Sequence, residues 1–599
     1  MTTIFEGAFE RTLDTLLTTY GKEAARGTKL EAWLFDDAAS RKAAEQKLAS
    51  FGVKAALRSA YKPLLHFFLE EVDRAALASV VVRYPQHEGA PQNRFLLEAY
   101  PLAALVGDAE IRFEAGSAKA FIYDVTLTFR DGRQENHAVF APNRIHTDFI
   151  GETLLSPTGW IRLDEGCDKH RECHLDTDYE RLFAGTMQAI SDHAWGDSEP
   201  YFEELNIRVT LPITDFRLPV GEEVISLREA LHEDFYFSLL EVFQKKSGRP
   251  LGDRGLKPGQ IVPEIVFGVG KPTVVVKARP LQATDVEGET LPLDTAEAPL
   301  AVAQIHAELA AIDGQPFEAR SRAGRPVKAR YHKGSDAPVM ISGGQHPNET
   351  TGIVGVLRAA QALAARTGSH FTISPLENPD GYAVHQRLRV DNPLHMHHAA
   401  RYTALGDDLE YRTGAALNER EIRKEAERLT GAQLHVNLHG YPSHEWTRPL
   451  SGYVPRGFAM WTLPKGFFLI MRHHAEWEAR AEQLIAEVTE RLAAVPGLLA
   501  YNDAQIALYE THAGETGFRI INGFPCMISV DDRHTAPLTL ITEYPDETIY
   551  GDAFIAGHEA QKETVLAAYD AFQRIMAVAR PPSFGRSVPL RTLAQRHIV

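Results

Sequence analysis

The sequence predicts an α/β layer domain in the second half of the chain, behind an α+β accessory region. Three observations carry this. From residue 338 to about 578, apolar runs of strand length alternate with stretches of helical spacing. Upstream, from Ser79 onward, short β-rich runs such as Val80-Val-Val-Arg-Tyr84 and Phe121-Ile-Tyr-Asp-Val-Thr-Leu-Thr-Phe129 dominate. Between the two lies Pro280 to Pro299, rich in Pro, Thr, Asp and Glu with little periodicity, which reads as the main boundary. At 599 residues the chain exceeds one core and divides into several domains. The expected division is a mainly helical segment over 1–75, an α+β accessory domain over 76–285, the layer domain over 300–580 and a tail over 581–599.

Composition narrows the function classes. Apolar residues make up 44% and charged residues 24%, ordinary for a globular protein. A formal charge of -17 argues against a general nucleic-acid binder and against attachment to anionic membranes. No apolar run reaches membrane-spanning length, and the amino terminus shows no basic leader with an apolar core. The three cysteines, Cys167, Cys173 and Cys526, suit a reducing compartment, so a cytoplasmic protein is expected.

In chain order, residues 1–75 read as helices at Phe9–Leu17 and Ala38–Phe51 around a strand near Leu30–Phe35. Cys167-Asp-Lys-His170-Arg-Glu-Cys173-His174 has no second Cys/His pair at a zinc-finger spacing and reads as a polar loop. The stretch from Leu227 to Phe243 is predicted to be an amphipathic helix with an aromatic core stripe, ended by Ser247-Gly248. Gly268-Val-Gly-Lys271 lacks the spacing of a phosphate loop. A short helix at 301–311 and a hairpin through Gly324-Arg-Pro326 lead into the layer domain.

There, four strands end in chemistry, where α/β domains place ligands. Val339-Met-Ile341 stops at Gly343-Gly344, and His346-Pro-Asn-Glu349 follows, offering nitrogen and oxygen donors that can converge on one small cation. Phe371-Thr-Ile-Ser374 leads to Glu377-Asn378-Pro-Asp-Gly-Tyr382, with Arg387 and Arg389 placed by alternation to reach a pocket. His435, Asn437 and His439 share one face of a strand ending at Gly440-Tyr441-Pro442, which makes His439 a third ligand. Leu538-Thr-Leu-Ile-Thr542 delivers Glu543 just before Pro545, where it could serve as a base.

His346-Pro-Asn-Glu349, Asn378-Pro-Asp-Gly-Tyr382, Asn437-Leu-His439 and Thr542-Glu543 together resemble the ordered signatures of the zinc carboxypeptidase family, over about 300–580. The resemblance implies a three-layer α/β/α domain with a mixed central sheet and one zinc ion held by His346, Glu349 and His439. It also implies that Glu543 handles the proton transfers of amide hydrolysis in a peptide or small peptide-like substrate. Arg387, or nearly as well Arg389, is the expected oxyanion donor.

Departures bear on the substrate. The family's Asn-Arg pair after Gly-x-Asp-Leu is replaced by Glu410-Tyr411, leaving Arg412 as the expected partner for a substrate carboxylate. Asn378, Tyr441 and His444 are the other expected substrate-side residues. Asn348 before Glu349 is closer to the aspartoacylase and succinylglutamate desuccinylase branch, which gives an N-acyl amino acid amidohydrolase as the alternative. A noncatalytic module binding a peptide terminus is a third reading. The sequence has neither the Gly-x-Ser-x-Gly elbow nor His-Glu-x-x-His. His395, His397 and His398 read as a solvated loop, with a pocket lining as the alternative, His473-His474 as part of a surface helix, and 450–515 as a lid or pocket rim, with core packing as the alternative.

Overall fold

The computed structural model describes residues 1–91, 93–116, 121–165, 170–282, 285–414, 416–457 and 461–579. The expected tail over 581–599 and Cys167 lie outside them. Among the described residues the largest sheet has ten strands. Its order is Gln315–Arg320, Pro326–His332, Phe371–Ser374, Val339–Gly343, Leu434–Leu438, Leu538–Pro545, Phe468–His473, Phe524–Val530 and Arg519–Ile521, with Gly440–Tyr441 paired beside Leu538–Pro545. The four strands from Phe371–Ser374 to Leu538–Pro545 run parallel to one another, and antiparallel pairs flank them. The sheet is therefore mixed.

Period-two alternation sets the layers. Val339, Ile341, Leu434, Val436, Leu538 and Leu540 face one side. They share a core there with the helices Thr351–Ala364, Glu478–Ala493 and Asp552–Ala579. Met340 points the other way, against Ala426 of the helix Glu421–Thr430. Burying each large aliphatic side chain contributes about 1.5–3 kcal/mol, so a one-residue slip of Val339–Gly343 would forfeit several such terms at once. Toward the carboxyl ends of the central strands the second face turns polar, and there His435, Asn437, His439 and Glu543 are found.

The accessory region differs from its expected division. Thr2–Ala8 pairs with Thr273–Arg279, and Lys29–Leu34 pairs with Trp160–Asp164. Segments on either side of residue 75 therefore share sheets, and 1–75 holds the strands Thr2–Ala8, Lys29–Leu34 and Lys54–Ser59 as well as helices. A further four-stranded sheet is built from Glu110–Ala115, Leu77–Tyr84, Ile122–Phe129 and Gln134–Phe140.

The helix Leu227–Lys246 runs through the core of this region, with Leu231, Phe235, Leu239 and Phe243 fully enclosed. It is not a surface amphipath: Glu229, His232, Glu233 and Asp234 are buried too. The same core takes in Val384, Leu388, Met396, Trp446 and Leu450 from the layer domain. The boundary stretch is also tied down. Leu293 and Ala296 are buried, and Arg325 pairs with Asp285 at 2.9 Å. Among the described residues no helix is long and apolar enough to cross a membrane.

Candidate metal centre and cavity

The strand Val339–Gly343 ends in a turn that Gly344 enters at φ +64, a conformation that costs glycine little. The turn closes through Glu349 N–H donating to the His346 carbonyl at 3.1 Å and leads into the helix Thr351–Ala364. It presents His346 and Glu349 side by side, His346 Nδ1 to Glu349 Oε1 being 2.9 Å. From the adjacent parallel strand Leu434–Leu438, His439 arrives with Nδ1 3.0 Å from His346 Nδ1 and 2.9 Å from Glu349 Oε2. The two imidazole centroids are 4.6 Å apart. Gly440 follows, and its N–H donates to Glu349 Oε2 at 3.0 Å; a Cβ there would lie 2.0 Å from Asp546 Oδ1.

These three side chains fit one metal ion. They are buried, and one ligand atom from each lies within 4.8 Å of the others. Two imidazoles and a carboxylate form a donor set zinc accepts, at about 2.0–2.2 Å from each. The far side of His346 is also held: Nε2 faces Asp408 Oδ2 at 3.4 Å, an arrangement that fixes the ring and leaves Nδ1 to the ion. Burial works to raise the Glu349 carboxyl, yet His346, Arg401 and His439 outweigh it and hold it below the usual range.

A cavity of about 190 Å³ opens beside the cluster, lined among others by His346, His439, Arg401, Asn437, Tyr441 and Glu543. Glu543 comes from Leu538–Pro545, where alternation puts Ile541 and Glu543 toward the cavity and Tyr544 in the core. Burial, then the charge of Glu349, pushes the Glu543 carboxyl well above its ordinary value, with Arg401 opposing. Arg401 ends the short helix His398–Arg401, and its Nη1 donates to Glu349 Oε1 at 2.5 Å.

The chain is similar to several solved structures, among them two metallo-carboxypeptidases and a carboxypeptidase A. One from Burkholderia cenocepacia is 16% identical with a TM-score of 0.29, over 52% of this chain and 77% of its own. One from Pseudomonas aeruginosa, in complex with (2-guanidinoethylmercapto)succinic acid, is 15% identical with a TM-score of 0.28, over 52% and 73%. Carboxypeptidase A from Helicoverpa armigera is 11% identical with a TM-score of 0.32, over 57% and 95%. No protein-family model and no curated protein matches the chain. At such values the functional reading rests on this chain's own side chains.

Several expected site residues lie elsewhere. Arg387 pairs with Glu204 of the accessory region at 2.9 Å, and Arg389 bonds Tyr550. The reason is secondary structure: Pro379–Asp391 is a helix, in which residues two apart point to nearly opposite faces, so strand alternation does not apply. Arg412 is enclosed, its fork filled by Asp407 at 2.6 Å together with Glu419 and Thr403. It has no capacity left for a substrate carboxylate. Glu410, which stands in place of the family's amide, is itself paired with Arg423 at 2.8 Å and His534 at 3.0 Å.

Asn378 caps the helix Pro379–Asp391, its side chain accepting from Gly381 N–H at 2.9 Å. His444 is buried against Glu229 at 2.8 Å and lies outside the cavity lining. Tyr441 does line the cavity, and its hydroxyl donates to the Gly466 carbonyl at 2.7 Å.

His395, His397 and His398 are buried and not solvated, because the segment carrying them docks on the accessory region: His398 pairs with Glu233 and His395 with Asp215. His473 ends the strand Phe468–His473 and is buried. The stretch 450–515 supplies Trp461, Ile470 and Arg472 to the cavity wall and otherwise packs as strand and helices. Among the cavity-lining residues the sequence did not single out are Arg401, Asp408 and Arg472. Asp408 stood within a motif read only for its substrate grip, and nothing local marked the other two.

Proposed function

We propose that this protein is a metal-dependent hydrolase of peptide amide bonds, with a single zinc ion held by His346, Glu349 and His439. The observation that carries the reading is the convergence of these donors from two strand ends beside a cavity that Glu543 and Arg401 also line. When bound, the ion polarises the scissile carbonyl and acidifies water beside it. Glu543 takes the proton of the attacking water and returns it to the departing amine, a transfer suited to a carboxyl whose proton affinity burial has raised. Arg401 donates to the carbonyl oxygen as negative charge grows there, a role its position supports in place of Arg387. Asp408 holds the His346 ring in its ligand orientation.

Arg472, with Nη1 on Asp531 at 2.9 Å, is the guanidinium we assign to a substrate carboxylate in place of Arg412. Asn348, the residue behind the N-acyl amino acid alternative, donates to Glu547 at 2.7 Å and does not line the cavity, which leaves peptides favoured. The free thiols of Cys173 and Cys526 support a cytoplasmic setting.

Metal analysis of the wild type, His439→Ala and Glu543→Gln, with turnover on peptides and acyl amino acids, tests the reading. His439→Ala should lose the metal. Glu543→Gln should keep it and lose about 10²–10⁴ in kcat. Full activity of Glu543→Gln would remove its role, and a fully loaded wild type that binds peptide without hydrolysis would establish the binding-module reading instead.

A further inference from the structure

A second cavity, of about 400 Å³, adjoins the one at the metal ligands. The two share Phe237, Arg254, Tyr402 and Asp408 in their linings, so they adjoin across these four side chains. One wall of the second cavity comes from the accessory region, through the helix Leu227–Lys246 and residues 251–256. The opposite wall, including Tyr402, Gly406 and Arg448, belongs to the layer domain.

The chemistry of that extension is apolar with its charges matched. Leu240, Leu251 and Leu256 line it, and Leu251 is 44% exposed although it is a large aliphatic residue on the accessory side. Glu241, Asp253 and Asp408 stand against Arg254, Arg448 and Arg456 in the lining, with Glu241 paired to Arg448 at 2.9 Å and to Arg456 at 2.6 Å, so neither sign of charge is left in excess there. The extension has about twice the volume of the cavity at the ligands. A small acyl amino acid fits within the latter alone, whereas a peptide advances about 3.3 Å per extended residue and must continue through the junction.

We infer that the accessory region builds an extended subsite that holds an apolar segment of a longer peptide. Phe237, Leu240 and Leu251 contact its side chains, so the enzyme selects peptides of about four residues or more over dipeptides. This inference rests on the peptide-hydrolase reading and deepens it by naming the substrate class and the role of the accessory region.

The test is a ladder of amino-terminally acetylated peptides of two to six residues with leucine or alanine at the added positions. Affinity is measured by calorimetry on the metal-loaded Glu543→Gln protein and kcat/KM on the wild type. Affinity should tighten by about tenfold on passing from two to four residues for leucine, the gain expected from burying one large aliphatic side chain, and by less for alanine. Leu251→Asp, at an exposed position, should bring the four-to-two-residue ratio of kcat/KM close to one, and Leu240→Ala should reduce it. A flat ladder with dipeptides hydrolysed well would overturn the extended subsite and leave the hydrolase reading standing. Length-dependent binding without turnover in the loaded wild type would overturn the hydrolase reading and leave the subsite standing. An unchanged ratio in Leu251→Asp and Leu240→Ala would show that the peptide lies elsewhere.

Discussion

Two clusters of buried charge draw on neighbouring stretches of chain, one through His439 and the other through His444 and Glu445, and they do different things. In the first, His346, Glu349, His439, Arg401 and Glu543 surround or line a cavity. In the second, along the seam with the accessory region, Lys62 pairs with Glu445, Tyr453 donates to Glu445 at 3.0 Å, and Tyr100 donates to Glu223 at 2.5 Å. Titration is displaced in both: burial, opposed by Lys62, pushes Glu445 up to about 7, just as burial raises Glu543. Of the two, among the described residues, it is the first that lines the cavity at the metal ligands. Displaced protonation therefore marks burial, and it marks a site only where a cavity gives access.

The largest effect that would sharpen this contrast is at Arg401. Arg401→Ala should lower kcat by about 10²–10³, as the loss of one fixed donor to a developing oxyanion does, with little change in KM. Arg387→Ala, whose partner Glu204 lies outside the cavity lining, should leave kcat within about twofold and act on stability. Equal kcat losses in the two variants, after correction for folded fraction, would mean that the cavity does not separate working arginines from structural ones.

Next in size is the seam's response to pH. His444 Nε2 faces Glu229 at 2.8 Å and Nδ1 faces the Thr548 hydroxyl at 3.0 Å, so both ring nitrogens have acceptors suited to an imidazolium. Burial opposes protonation, but Glu229 wins and raises His444 to about 9. A histidine raised in the folded state stabilises it fully below the unfolded value of about 6.5, and that stabilisation is lost as pH rises through about 9. The difference is on the order of 3 kcal/mol. Urea unfolding of the wild type and His444→Gln from pH 6 to 9.5 should show the gap between them closing by about that amount. Parallel curves would place His444 neutral in the fold and remove the distinction drawn for the seam.

How far the sequence disclosed each region follows from the range of the interactions involved. The central sheet was legible because Leu434, Val436 and Leu438 alternate with His435, Asn437 and His439, and burial on one face forces the other face toward the site. The meeting of His346, Glu349 and His439 was legible for the same reason, since each follows a strand end in a parallel neighbourhood. Arg401 was not legible. Its place depends on His398 docking on Glu233 and His395 on Asp215, contacts made across more than 150 residues of chain. The accessory sheets were hidden likewise, because Thr2–Ala8 finds its partner at Thr273–Arg279 and no local pattern encodes that register. Arg387 was misplaced by period: strand alternation was read into a segment that Asn378 and Pro379 start as a helix.

Asn378 gives the smallest of these tests and separates motif from mechanism. It lies in a stretch read as substrate-side, yet its side chain is buried and accepts from Gly381 N–H, while its own N–H donates to the Gly344 carbonyl at 2.9 Å. That is the work of a helix cap joined to the turn before His346. Asn378→Ala should therefore cost about 1 kcal/mol of stability, Asn378→Ser should recover most of it, and KM for peptides should stay within about twofold in both. A KM increase of tenfold or more at unchanged stability would put the side chain on the substrate. Recovery by serine separates the two roles, because a short hydroxyl can accept from Gly381 N–H at the helix start but cannot stand in for an amide reaching toward a bound peptide.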